Sequence, residues 1–212
     1  MICTVVAALP EPDLVLPPDG FLIAADKGYA QLHARGVVPD LVVGDFDSLG
    51  AVPQDVPVVR HPVRKDDTDM LLAVREGLRR GCTRFLLYGG VGGRLDHTLA
   101  NLQTLSFLQQ NGARGVLYGD GTAVTLLHQS GVTLSAKESG DVSVFAFGGP
   151  ARGVTERGLL YSLENATLTT DFPLGVSNGF CGNAAQIEVR QGSVLLLWQT
   201  DANAAVTFLQ CL

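Results

Sequence analysis

Asp45 and Asp47 stand one residue apart in LVVGDFDSLG, residues 41–50, directly after an apolar run. Side chains alternate along an extended backbone, so the two carboxylates share one side, with Phe46 on the other and Ser48 near. Paired hard oxygens of this kind suit a magnesium ion that carries a polyphosphate. An isolated Asp-x-Asp more often begins a surface turn or caps a helix, so its meaning depends on what else reaches the same place. KDDTD, Lys65–Asp69, repeats the theme just before a helical pattern. Thr68 and Asp69 serve there equally well as ordinary N-cap residues or as part of an anion and metal site at a helix N-terminus, with Asp69 completing the ligand set.

The strongest local signal is GGVGGRLDH, Gly89–His97. Glycines such as Gly92 and Gly93 let a backbone approach a phosphate closely, the following helix offers free N–H groups, and Arg94 neutralises phosphate charge with paired donors. The stretch is not a Walker A loop, because no Gly-Lys-Ser/Thr follows. It is not the dinucleotide Gly-x-Gly-x-x-Gly either, because Leu95 stands at the third glycine. Asp96 reads as a helix cap or as a site acid. His97 reads as a structural hydrogen-bonder, as do His33, His61 and His128. No Ser-His-Asp order and no zinc-ligand spacing emerges, and Trp198 reads as core.

These residues need elements to position them. ICTVVAAL, FLIAA, LVV, FLLYGG and VLYGD read as buried strands. GYAQLHARG reads as a short helix ending at Gly36. TDMLLAVREGLRRG reads as a helix with Leu71, Val74 and Leu78 on one face, and DHTLANLQTLSFLQQNG as a longer one with Leu95, Leu99 and Leu102 in register. Alternation of strands with helices predicts a Rossmann-like α/β domain with a mainly parallel sheet over residues 1–122. Ligands bind beyond the carboxyl ends of such strands. Four of these ends carry Asp26, Gly44-Asp45, Gly89-Gly90 and Gly119-Asp120, which predicts one crevice lined by acids and glycine backbone. From residue 123 to 212 the pattern becomes short strand-like runs, AVTLLH, DVSVFAF, LLYSLEN, ATLTTDF, AQIEVRQG and SVLLLWQ, without a helix of useful length. That texture predicts a smaller antiparallel β-sandwich or barrel, with RQGS as a hairpin turn.

Composition narrows the classes. The chain has 212 residues, 46% of them hydrophobic, enough for a real core, and a formal net charge of −6. That balance argues against a general nucleic-acid binder, though an anionic nucleotide is still bound where a divalent metal bridges the two. Positive charge rests mostly on arginine, the lysines being Lys27, Lys65 and Lys137. Cys3, Cys82, Cys181 and Cys211 are scattered with no metal-ligand spacing, the pattern of reduced thiols in a cytoplasmic protein. The first residues read as a strand, not as a signal peptide, and no apolar run approaches the roughly 18 residues of a membrane span.

Taken in order, AADKGY, PDLVVGDFDS, KDDTD, GGVGGRLDHTLAN and GLLYSLENATL with GVSNGF resemble the thiamine pyrophosphokinase family, from about Asp26 to Phe180. The resemblance implies transfer of a diphosphate from ATP to the hydroxyethyl oxygen of thiamine, with magnesium, giving thiamine diphosphate and AMP. It also implies a homodimer whose active sites lie between subunits, with a nucleotide-binding α/β domain and a thiamine-binding β-domain. Carried onto this chain, it implies Asp45, Asp47 and Asp69 as magnesium ligands. Asp26, Thr68, Gly92, Gly93 and Arg94 become nucleotide and phosphate contacts. Asp96 becomes the acid at the reacting end, catalytic together with Asp47 and Arg94 and near thiamine. Ser177 and Asn178 become the segment that holds the thiamine pyrimidine. The chain departs from many relatives at Lys27, where they have glycine, and from some at Tyr161, where they have tryptophan.

Three other readings compete. A diphosphokinase for another hydroxyalkyl heterocycle, such as a pterin, keeps the fold and changes the acceptor. A metal-dependent phosphoesterase fits the acid clusters but accounts less well for the Gly-Arg loop and the second domain. A non-catalytic nucleotide- or thiamine-binding regulator leaves the surplus of site acids unexplained.

Overall fold

Six apolar runs of the N-terminal half form strands: β1 (Ile2–Val6), β2 (Phe21–Ala25), β3 (Leu41–Gly44), β4 (Val58–Arg60), β5 (Arg84–Tyr88) and β6 (Arg114–Gly119). The computed structural model describes residues 1–45, 55–61 and 67–212. All six strands pair in parallel, in the order β4-β3-β2-β1-β5-β6. Val5, Ile23, Val42, Phe85, Leu87 and Leu117 have no more than a trace of exposure, as a parallel sheet covered on both faces requires. Three helices lie between these strands in the chain, α1 (Gly28–His33), α2 (Asp69–Arg79) and α3 (Leu95–Gln110).

Chain order runs outward from β1 to β4, then returns across β1 to β5 and β6. The direction of winding therefore reverses between β1 and β5, and the crevice of an open α/β sheet belongs at that point.

The chain divides into two compact units, Met1–Gly121 with Ala202–Leu212, and Thr122–Asp201. This corrects the expectation that residues 123–212 form one β-domain. The last segment instead forms a helix, α4 (Ala202–Cys211), which packs on β5 and β6 and buries Ala202, Ala205, Val206 and Leu209.

The second unit contains two antiparallel sets of strands. One is β12 (Asn178–Gly179), β9 (Asp141–Ala146), β14 (Ser193–Gln199) and β7 (Thr122–His128), in that order. The other runs β11 (Leu163–Leu168), β10 (Ala151–Arg157), β13 (Ala185–Glu188) and β8 (Gly131–Leu134). RQGS is not a hairpin turn. It joins β13, which pairs with β10 and β8, to β14, which pairs with β7 and β9, so it carries the chain from one set to the other.

Both long helices turn a different face inward from the one their leucines suggest. In α2 the fully buried side includes Met70, Ala73 and Val74, while Leu71 and Leu78 are half-buried. In α3 Asn101, Thr104, Leu105 and Leu108 are buried, whereas Leu95 and Leu99 are 73% and 54% exposed. The Asn101 amide explains the choice in α3. Its Nδ2 donates to the Gly90 carbonyl at 2.9 Å, a buried bond that fixes the helix against the loop after β5.

Candidate active site

A crevice of about 560 Å³ opens at the carboxyl ends of the parallel strands of the first unit, where the winding reverses. Ala7, Ala8 and Leu9 follow β1, Ala25 ends β2 with Asp26 and Lys27 after it, Asp45 follows β3, and Gly89 and Gly90 follow β5. Thr68, Asp69 and Met70 enter from the start of α2, and Gly92, Arg94, His97 and Asn101 from the loop and first turns of α3. Of the implied site residues, Asp26, Asp45, Thr68, Asp69, Gly92 and Arg94 thus line one space.

The floor is set by close backbone packing. Gly28 opens α1 against the end of β1, where an added Cβ would lie 1.8 Å from the Val6 carbonyl oxygen, so no side chain fits. Asp26, just before it, has φ of 45°, a left-handed conformation that costs energy for a non-glycine residue and turns the chain sharply out of β2. Its N–H donates to the Val43 carbonyl at 2.8 Å, and it is 9% exposed.

The rim is held by side-chain clasps. Gln31 of α1 donates through Nε2 to the carbonyls of Ala7 at 2.6 Å and Leu9 at 3.1 Å, and its Oε1 accepts from the Glu11 N–H at 3.3 Å. Thr68 caps α2, its Oγ1 accepting from the Leu71 N–H at 3.2 Å, so the helix N-terminus and Asp69 point into the crevice. Gly92 and Gly93 have φ of 88° and 62°, which lets the loop turn tightly before α3. Thr98 ties that loop to the helix, its hydroxyl donating to the Gly92 carbonyl at 3.2 Å.

Arg94 and Asp96 form a two-pronged ion pair, Nε to Oδ1 at 3.1 Å and Nη2 to Oδ2 at 2.5 Å. Asp96 Oδ1 also accepts from the His97 N–H at 3.0 Å. The bonds from Arg94, ahead of that from His97, hold the Asp96 carboxyl below the usual carboxylate range. Both side chains are well exposed, at 73% and 65%. Gly93 packs on Leu9, and neither it nor Asp96 is part of the crevice lining proper.

Asp45 and Asp69 supply hard carboxylate oxygens to the same space, facing the Gly-Arg loop. Asp47, with Ser48, Lys65 and Asp66, lies outside the described residues. No cluster of three or more His, Cys, Asp or Glu side chains gathers among the described residues. Magnesium characteristically takes one or two carboxylates and fills its shell with phosphate and water, so the Asp45 and Asp69 pair fits it.

Gly119 and Asp120 do not join the crevice. They end β6, one strand beyond the reversal point, and Asp120 turns into β7 with φ of 50°. The sequence reading passed over Ala7–Leu9, Gln31 and Asn101, because apolar and amide residues carry no chemical signature. His97, read as merely structural, does line the crevice.

Ser177 and Asn178 belong to the second unit. Ser177 is exposed, with φ of 58°, and its N–H donates to the Ser143 hydroxyl at 3.2 Å. Asn178 is 6% exposed and its amide is fully engaged. Oδ1 accepts from the N–H groups of Tyr161 at 3.0 Å and Gly179 at 2.9 Å, and Nδ2 donates to the Tyr161 carbonyl at 2.6 Å and Glu156 Oε2 at 3.0 Å.

A parallel α/β sheet with acids, a helix N-terminus and a Gly-Arg loop at its winding reversal has the makings of a phosphate-handling enzyme. Two family models match the chain in succession: thiamin pyrophosphokinase, catalytic domain, over residues 14–117, and thiamin pyrophosphokinase, vitamin B1 binding domain, over residues 131–194. The chain belongs to the thiamine pyrophosphokinase family. It is 25% identical over 186 residues to the thiamine pyrophosphokinase of Bacillus subtilis strain 168, covering 84% of this chain and 87% of that one. The crystal structure of thiamine pyrophosphokinase from Bacillus subtilis superposes with a TM-score of 0.85 at 25% identity, over 95% of this chain and 100% of the other. The yeast enzyme, 14% identical, shares the fold with a TM-score of 0.74 over 98% of this chain and 88% of its own. No helix among the described residues is long and apolar enough to cross a membrane.

Proposed function

We propose that this chain transfers the diphosphate of ATP to the hydroxyethyl oxygen of thiamine, giving thiamine diphosphate and AMP. The observation that carries the reading is the single crevice in which Asp26, Asp45, Thr68, Asp69, Gly92 and Arg94 meet, in a chain matched successively by a catalytic and a vitamin B1 binding family model. In the reaction the thiamine oxygen bonds to the β-phosphorus, the bond from that phosphorus to the oxygen bridging to the α-phosphate breaks, and the hydroxyl proton leaves. Such transfers need little covalent help, so positioning and charge stabilisation supply most of the rate.

Asp45 and Asp69, joined by Asp47, would hold magnesium, which when bound neutralises phosphate charge and orients the polyphosphate. The α2 N-terminus capped by Thr68 and the backbone around Gly92 and Gly93 cradle phosphate oxygens, and Asp26 contacts the nucleotide. Arg94 steadies the transferred group with paired donors. Asp96, held ionised by Arg94, is a weak base, so its electrostatics favour orienting the thiamine hydroxyl over abstracting its proton. The second unit, with Ser177 exposed beside the ordered Asn178, holds thiamine.

We also read the protein as a cytoplasmic homodimer with active sites between subunits. Leu160, Tyr161, Phe172, Leu174 and Val176 of the second unit expose apolar surface that a second copy would cover, and all four cysteines are free. Sedimentation equilibrium tests the dimer, and a single 22.4 kDa species would refute it.

Mixing the protein with magnesium, ATP and thiamine and identifying the products tests the activity. AMP and thiamine diphosphate in equal amounts are expected. ADP as the nucleotide product overturns the diphosphate transfer, and phosphate released without an acceptor points to a hydrolase.

A further inference from the structure

Glu156 is the next-to-last residue of β10 and is 0% exposed. Its register partners are Leu163 on β11 and Ile187 on β13, and it shares their face of the sheet. One carboxylate oxygen, Oε2, accepts from Asn178 Nδ2 at 3.0 Å. The other, Oε1, has no hydrogen-bond partner among the described residues. Among the described residues no cation pairs with it. The neighbouring charged groups lie elsewhere: Arg157 on β10 is exposed and pairs with Glu164 on β11 at 2.7 Å, Glu188 on β13 is exposed, and Asp141 of β9 is exposed opposite Gly179.

A buried acid with a single neutral donor is an expensive way to fill a core, which raises the question of what it does there. Its one bond reaches Asn178, and the Asn178 amide has two hydrogens and two acceptor directions in all. The bond to Glu156 occupies one hydrogen. That leaves the other hydrogen for the Tyr161 carbonyl and the amide oxygen for the N–H groups of Tyr161 and Gly179. A flipped amide would set its oxygen against the Tyr161 carbonyl and lose all three bonds. Next to it, the Leu160 N–H donates to the Gly179 carbonyl at 2.9 Å, so the turn bearing Leu160 and Tyr161 is pinned to the strand that follows Ser177. The side chains of Leu160 and Tyr161 then stand 62% and 69% exposed beside Ser177, an apolar and aromatic shelf with a hydroxyl at its edge.

We propose that Glu156 is a positioning residue for the acceptor: through Asn178 it fixes the Leu160–Tyr161 turn and the Ser177–Asn178 edge in the arrangement that holds thiamine. This rests on the reading of the second unit as the thiamine-holding part. Burial opposes ionisation of Glu156 and pushes its carboxyl above the usual range, with the Asn178 bond only partly offsetting that. Ionisation as pH rises would place an uncompensated charge beside the amide and disturb the turn.

The test is steady-state kinetics on the intact enzyme with ATP and thiamine. Glu156→Leu removes the acceptor while keeping the core apolar, and we expect its thiamine KM to rise about tenfold, the size of one lost buried hydrogen bond, with kcat and the ATP KM near wild type. Glu156→Gln keeps the acceptor oxygen without the proton equilibrium and should restore the wild-type KM. It should also lack the rise in thiamine KM with increasing pH that we expect of the wild type. A Glu156→Leu enzyme with wild-type thiamine KM overturns the proposal. If that variant does not fold, coincident pH profiles of thiamine KM for wild type and Glu156→Gln overturn it instead. A wild type that makes no thiamine diphosphate fails the functional reading itself, a distinct outcome from an active wild type whose KM ignores Glu156.

Discussion

Two of the buried glutamates, Glu76 of the first unit and Glu156 of the second, solve the same electrostatic problem in opposite ways. Glu76 on α2 is 6% exposed and bonds to both Arg79 and Arg80 one turn on. Burial pushes its carboxyl up, but the hydrogen bonds and charges of the two arginines outweigh it and leave Glu76 below the ordinary range. Glu156 has only a neutral amide, and burial leaves it above that range. Glu76 has its charge paired, whereas Glu156 has its charge disfavoured.

The comparison can be broken most forcefully at the crevice, where Asp45 and Asp69 line the space proposed for the polyphosphate. Asp45→Asn should reduce turnover by about 10²–10³-fold, the scale of losing one charge-stabilising group, without lowering Tm. A near-normal rate would take Asp45 out of the metal role. Glu76→Gln comes next. It should destabilise the protein by about 2 kcal/mol at neutral pH, because two charge-assisted hydrogen bonds weaken. Its folded carboxyl binds protons less tightly than the unfolded one, so the wild-type advantage is complete above about pH 4.3 and disappears as pH falls below that value. Urea unfolding across pH measures this.

Glu156→Gln should show the reverse sign and a smaller effect. The folded wild type holds the proton more tightly than the unfolded chain, so raising pH through about 4.3 costs the wild type stability that the amide variant keeps. Its Tm should exceed wild type at pH 7 and match it near pH 4. Equal Tm at both values would mean that burial does not control this carboxyl. The smallest effect belongs to Asp96→Asn. The Arg94 and Asp96 pair stands in water, where ion pairs contribute little to folding, so Tm should not change while the rate falls. A marked loss of Tm would make the pair structural.

Much of the first unit was legible in sequence because its signals are local. Apolar runs too short and too continuous for an amphipathic helix gave β1, β2, β5 and β6, and strand-end acids with the Gly-Arg loop gave the crevice. What was misread depends on contacts far apart in the chain. DANAAVTFLQC carries no charge after Asp201 and few strong helix signals, and its helix exists because β5 and β6 offer its small apolar face a partner. The leucines of α3 promised an inward face at Leu95 and Leu99, but the Asn101 bond to Gly90 rotates the helix so that they face outward. Gly119-Asp120 looked like the other strand ends, and only the order of the strands shows it to be one position too far along. In the second unit the Asn178 amide bonds the backbone of Tyr161 and Gly179 and the Glu156 side chain, partners that its local motif does not reveal.

The Gln31 clasp has a consequence for the energetics of recognition. One amide, on a helix whose first residue is jammed beneath the end of β1, ties down three backbone groups of the segment after that strand, and Arg35 adds a bond from Nη2 to the Glu11 carbonyl at 2.6 Å. An arriving nucleotide therefore meets a wall whose conformational entropy was already surrendered during folding, so little of its interaction energy is diverted to immobilising that wall. Loosening the clasp would weaken affinity without removing a single ligand contact.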